Sequence, residues 1–223
     1  MPIQQPAVYC PGPDEQLENS IASMLLSMRN AYQQPLMGGK GQLGDLNANA
    51  KLYLFVHSYS QMSVFSTETE MWTGEEMAAL MEKDGLSKDH RDLELLVCSA
   101  GLAMTTKKAQ KELKRLYALY LEAKKSGDEA ATKKAAATFT AAEKKVKKPK
   151  EYEANDQTLP LVCELVDALK QRQYRKIQVT SYKVPVAMTF SQGKIHLSLE
   201  SLGGEWGVPA DDDRAKGLKV VWR

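Results

Sequence analysis

An α/β domain built on a mostly parallel sheet is the fold this sequence predicts, and three observations predict it. Two stretches of strand length, the apolar run Lys51 to Val56 (KLYLFV) and the largely apolar Leu93 to Val97 (LELLV), read as buried strands. A helical pattern lies between them, opened by a capping box at Thr73-Gly74-Glu75-Glu76. Strand, helix and strand in that order make a βαβ unit, whose crossover sets the two strands parallel.

The elements follow in order along the chain. Ala7 to Cys10 is a short apolar strand stopped by Pro11-Gly12-Pro13. Asp14 then caps a helix whose apolar residues Leu17, Ile21, Met24, Leu25, Met28 and Tyr32 recur at helical spacing. Pro35 and Gly38-Gly39-Lys40-Gly41 end it, and Gly38 to Asn49 reads as a mobile loop. After the first buried strand, Ser58 to Met71 is expected to be a polar hairpin or loop. The capped helix carries Met77, Leu80 and Met81 to a stop at Asp84-Gly85.

Beyond the second buried strand, Thr106 to Lys125 and Asp128 to Lys148 are helical patterns split by Ser126-Gly127, an inserted helical hairpin over 105–150. Pro149 to Gln157 is a polar return linker. Pro160 starts a helix with Leu161, Val162, Leu165, Val166 and Leu169 on its buried face. Lys176 to Tyr182 alternates as a further strand. Val184 to Phe190 and Lys194 to Leu199 flank a hairpin turn, and Leu218 to Trp222 makes a last strand, so that 183–223 forms a C-terminal β-flap region.

Composition sets the class. With 223 residues, 43% apolar and 26% charged, the chain has material for one sizeable core. A net charge of +2 points to neither nucleic acid nor membrane, but its distribution is uneven. Thr105 to Lys150 holds 14 Lys/Arg against 5 Asp/Glu, a net +9, and the remainder is −7. Three cysteines, Cys10, Cys98 and Cys163, form no C-x-x-C pair or disulfide framework. That predicts a reducing, cytoplasmic compartment. Met1 to Val8 has no basic or apolar signal region, and no apolar run is long enough to span a bilayer. Export into another cell would then use a route that reads no cleavable signal.

The chemistry concentrates at two positions. His57 directly follows the first buried strand and Cys98 the second, so parallel pairing brings both to one sheet edge, where ligands of open α/β sheets bind. A thiol attacks as thiolate, and an imidazole supplies the base or an ion pair. Small residues after the nucleophile (Ser99-Ala100-Gly101) leave backbone amides open to an oxyanion. Either residue alone is readily explained as packing. Their joint placement carries the reading.

The motifs LYLFVHS and LELLVCSAG resemble those of the caspase–haemoglobinase group of cysteine peptidases, which includes the self-cleaving protease domains of bacterial toxins. A looser match is VTSYKVPV, similar to the strand that leads to the substrate-binding loop in caspases. The resemblance spans most of Ala7 to Phe190 apart from the basic hairpin. It implies a caspase-like three-layer sandwich and a His–Cys dyad, with Cys98 the nucleophile and His57 the acid/base. It also implies an oxyanion hole from the backbone amides of Cys98 and Ser58. Ser58 stands where the group usually has Gly. Substrate would pair around Ser181, Tyr182 and Lys183. The toxin branch is activated by inositol hexakisphosphate, for which Lys183, Lys194, Arg214, Lys216, Lys219 and Arg223 are the candidate anion-binding residues. No cofactor is required for the chemistry itself. The resemblance thus implies an effector or toxin protease acting on a host or self protein; by composition alone, Gly38 to Asn49 and Lys148 to Asn155 are candidate self-cleavage loops.

The alternative is a catalytically silent caspase-like scaffold that binds an anionic or protein partner through its basic hairpin. Nucleic acid is disfavoured, because aromatics for base stacking are few there. Cys10 and Cys163 read as packing residues, His90 as part of a polar loop and His196 as a surface residue. The scattered His and Cys positions offer no zinc spacing, and Gly38-Gly39-Lys40-Gly41 is not a phosphate loop.

Overall fold

The computed structural model describes residues 6–12, 14–15, 17–19, 36–37, 42–59, 62–97, 107–146, 160–182, 186–191, 194–197, 208–209 and 218–223. For 36–37, 42, 59, 107, 186–191, 194–197 and 208–209 it describes the backbone alone.

The expected βαβ unit is present. Strand β3 (Lys51–Phe55) and strand β7 (Asp92–Leu96) pair in parallel, Lys51 opposite Asp92 through Phe55 opposite Leu96. Beyond its first residue each is buried throughout, as a strand covered on both faces requires. Their crossover contains helix α1 (Gly74–Lys83), whose Met77, Ala78 and Met81 are buried. Its capping box closes as the sequence predicts: Thr73 Oγ1 accepts from the Glu76 amide, and Glu76 Oε2 accepts from the Thr73 amide at 2.7 Å.

Around this pair the sheet extends to six strands. Its order is β12-β8-β7-β3-β1-β2, with β1 at Ala7–Cys10, β2 at Leu36–Met37, β8 at Gln178–Tyr182 and β12 at Lys219–Trp222. All neighbours are parallel except β12, which runs antiparallel along β8. The last strand of the chain therefore edges the central sheet. A separate antiparallel sheet holds β9 (Val186–Ser191), β10 (Lys194–Leu197) and β11 (Val208–Pro209).

Two stretches carry more structure than expected, the first being the expected hairpin with a third strand and a buried centre. The segment after His57 forms an antiparallel ribbon of β4 (His57–Tyr59), β5 (Val64–Ser66) and β6 (Met71–Trp72), and all three residues of β5 are buried. Within the expected mobile loop, Gln42–Asp45 is a 3-10 turn, the Leu43 amide donates to the Asp84 carbonyl, and Leu43 and Leu46 are buried. Gly38 to Gly41 and the linker 149–157 lie outside the described residues.

The basic insertion is a helical hairpin of α2 (Lys107–Ser126) and α3 (Glu129–Lys145), the latter capped by Asp128. One side supplies a second apolar cluster, in which Leu113, Leu116, Tyr117, Leu121 and Phe139 pack with Met62 and Val64 of the ribbon region. The main core lies elsewhere, against helix α4 (Leu161–Gln171) and α1. Strand β6 joins the two clusters: Met71 packs against the hairpin and Trp72 against the main core.

In the central sheet the buried Tyr9, Glu94 and Tyr182 side chains are paired. Tyr9 donates to Asp84 at 2.8 Å, and burial, then this carboxylate, pushes its hydroxyl pKa upward. Glu94 accepts from Tyr182 and is ion-paired with Lys51, tying β8, β7 and β3 together.

Helices α1 and α4 touch so closely at Gly74 that a Cβ there would lie 2.4 Å from the Leu165 amide nitrogen and 2.7 Å from the Glu164 backbone. Gly74→Ala should therefore lower unfolding stability by about 2 kcal/mol or more in a urea titration. A second prediction concerns His90, which is buried in its loop, with Nε2 3.1 Å from the Asp92 carbonyl and Nδ1 without a hydrogen-bond partner. Burial holds its pKa below the ordinary 6.5. The unfolded chain then binds the extra proton first, so this contribution is complete above pH 6.5 and is lost on acidification through the depressed pKa. Melting temperature should fall between pH 7 and pH 5, and His90→Gln should flatten that part of the profile.

Candidate functional site

The site begins where β1 ends. Burial packs Asp14 beneath the start of a helical turn, where its Oδ1 accepts from the Leu17 amide at 2.9 Å and caps Glu15, Leu17, Glu18 and Asn19. Its Oδ2 accepts from the Glu68 amide at 3.0 Å, in the turn that joins β5 and β6. The same Oδ2 lies 3.4 Å from His57 Nε2. A fully buried carboxylate thus faces one imidazole nitrogen while the His57 side chain stays 38% exposed. That fixes the ring and leaves Nδ1 for a second partner.

His57 opens β4, opposite Ser66 of β5. It lies two residues past Phe55, which is in register with Leu96, and Cys98 lies two residues past Leu96. Cys98 itself is outside the described residues, as is the Ser99-Ala100-Gly101 turn. Ser58 belongs to β4, opposite Phe65.

The other two cysteines are poor nucleophiles. Cys10 is buried at the end of β1, where its Sγ donates to the Gly12 carbonyl, and burial pushes the thiol up to about 11. Cys163 is half-buried on α4, and burial with nearby Asp167 and Glu164 raises it too. Both remain protonated thiols near neutrality.

Ser181 and Tyr182, the expected substrate-binding residues, already have partners within the sheet. Ser181 and Tyr182 lie opposite Val220 and Lys219, so β12 occupies that edge of β8. Their side chains are buried and committed: Ser181 Oγ accepts from Trp222 Nε1 at 2.9 Å, and the Tyr182 hydroxyl donates to Glu94. These two residues build the sheet. Lys183 is outside the described residues, along with Arg214 and Lys216. Lys194 lies on β10, where the backbone alone is described. Lys219 and Arg223 are exposed on and beside the edge strand, where the Arg223 carbonyl accepts from Lys170. His90, expected in a polar loop, is buried there.

In the sequence Asp14 reads only as a helix cap. Its second role is tertiary, and the one local signal is its place directly after a strand and the Pro11-Gly12-Pro13 stop. No group of three or more His, Cys, Asp or Glu side chains that could hold a metal occurs among the described residues. Among them, too, no helix is long and apolar enough to cross a membrane. Comparison with protein-family models, curated proteins and solved structures finds no match.

The two duties of Asp14 can be separated. Asp14→Ala removes the cap and the Glu68 anchor and should cost about 2 kcal/mol of unfolding stability. Asp14→Asn keeps an acceptor for Leu17 and should cost roughly half as much. Equal losses in denaturant titrations would show that the charge facing His57, rather than the cap, carries the stability.

Proposed function

We propose that this chain is a cysteine endopeptidase of caspase-like three-layer architecture, with Cys98 as nucleophile, His57 as acid/base and Asp14 as the residue that positions His57. The observation that carries the reading is the buried Asp14 carboxylate facing His57 at the end of a strand in parallel register with the one leading to Cys98. An imidazole held from one side by a carboxylate is the arrangement that a nucleophile–base pair uses.

In this mechanism the Cys98 thiolate forms a bond to the peptide carbonyl carbon, and the oxyanion takes hydrogen bonds from backbone amides, those of Cys98 and Ser58 being the candidates. His57 protonates the departing amine as the C–N bond breaks. Water, deprotonated by His57, then attacks the thioester, releasing the acid and restoring the thiol. The resemblance to toxin proteases extends the proposal to an effector acting on host or self protein. It also adds an inositol hexakisphosphate site including Lys219 and Arg223.

A second reading rests on the hairpin. Lys133, Lys134, Lys144 and Lys145 are exposed on α3 and enter no ion pair among the described residues. A silent scaffold would use this face to hold an anionic protein partner.

Iodoacetamide labelling of Cys98 against pH, mapped by mass spectrometry, separates the readings. The peptidase requires labelling that persists well below pH ~8.5 and slows in His57→Ala. With casein as substrate, Cys98→Ala and His57→Ala should each lower kcat/KM by about 10³-fold or more, and Asp14→Asn by about 10²-fold. An ordinary thiol profile, with and without inositol hexakisphosphate, would select the scaffold.

A further inference from the structure

Between α2 of the hairpin and the β6–α1 junction lies a groove of about 470 Å³. That volume falls in the range of clefts that hold ligands, about 300–1,000 Å³. Its apolar lining is Met71 and Trp72 on one wall and Ala118 and Leu121 on the other. Three carboxylates, Glu70, Glu76 and Glu122, share the lining with one cation, Lys125. Glu76 Oε2 accepts from the Thr73 amide and hydroxyl, and Glu70 and Glu122 enter no ion pair among the described residues. An indole among unpaired carboxylates is a surface that attracts an ammonium or guanidinium, by cation–π and Coulomb attraction together.

The groove is built into the same ribbon as His57. His57 is opposite Ser66, and Ser66 is opposite Met71, which lines the groove. Two strand spacings separate them, about 10 Å, or roughly three residues of extended peptide. Trp72 also leans toward the Asp14 loop, for a Cβ on Gly12 would meet its indole at 3.2 Å.

We infer that this groove docks a Lys- or Arg-bearing segment of the polypeptide substrate, holding the basic side chain about three residues from the bond presented to His57. As a substrate subsite the inference rests on the peptidase reading; the recognition of a basic peptide does not. Charge complementarity selects the occupant: an acidic segment would meet three carboxylates against one lysine.

The probe is a fluorescein-labelled Gly/Ser peptide carrying one Lys-Arg pair, with a Glu-Asp twin, titrated by anisotropy onto the full-length Cys98→Ala protein. That protein performs no chemistry. The basic probe should bind and its twin should not. Affinity should fall about 10-fold in Glu70→Gln/Glu122→Gln, and also in Ala118→Trp, which fills the groove without touching charge. Glu112→Gln, on the same helix about 15 Å from Glu122, should leave binding unchanged. Equal binding of the two probes, or no loss in either groove variant, would overturn the inference. In the active protein, the Glu70→Gln/Glu122→Gln variant should raise KM for a Lys-Arg substrate while kcat holds. A kcat loss instead would assign those carboxylates to the chemistry. Probe binding without casein hydrolysis would retire the peptidase and leave the groove as a basic-peptide site.

Discussion

The parallel pairing of β3 with β7, unslipped from Lys51–Asp92 to Phe55–Leu96, is the constraint on which the rest of the molecule hangs. A parallel pair needs a crossover, and α1 supplies it. It also needs cover on both faces, which is why each strand is buried beyond its first residue. A slip by one residue would turn every side chain to the opposite face. It would also end the equal offset by which His57 and Cys98 each lie two residues past a matched pair. The register and the placement of His57 and Cys98 after it are therefore specified by the same apolar residues.

Asp14 extends that constraint sideways. It is buried, and a buried carboxylate must be satisfied by donors. Two backbone amides and one imidazole surround it, from the helical turn after β1, the β5–β6 turn and the start of β4. Three segments far apart in sequence are thereby fixed around one charge. On the outer side, Glu68 pairs with Lys124 of the inserted hairpin at 3.6 Å. The residue whose amide holds Asp14 is thus also a point of attachment for the insertion.

What the sequence disclosed was the part written in local pattern. The two apolar runs, the Thr73–Glu76 capping box, the Ser126-Gly127 break between helices and the buried face of α4 are all short-range signals, and each element stands where its signal lies. The misses have a common physical origin. Strand β2 has only two residues, too few for any period. Strand β5 sits among Ser, Gln, Thr and Glu, so its burial, Val64 under the hairpin and Phe65 in the main core, is decided by tertiary packing. Ser181 and Tyr182 read as an open strand end because pairing with β12 joins residues about forty positions apart. Of the site, His57 was visible from its place after a strand. Asp14 was visible only as a cap, because nothing local marks the use of its second oxygen.

Strand β6 gives one of its two residues to each apolar cluster. A strand so divided acts as a rivet: if the hairpin lifts, Met71 is drawn out, and its neighbour Trp72 loosens from the main core. The insertion therefore cannot melt as an independent subdomain with a transition of its own. Its docking energy is shared with the ribbon that bears His57, so heat or denaturant should take the hairpin and the site apart in a single cooperative step.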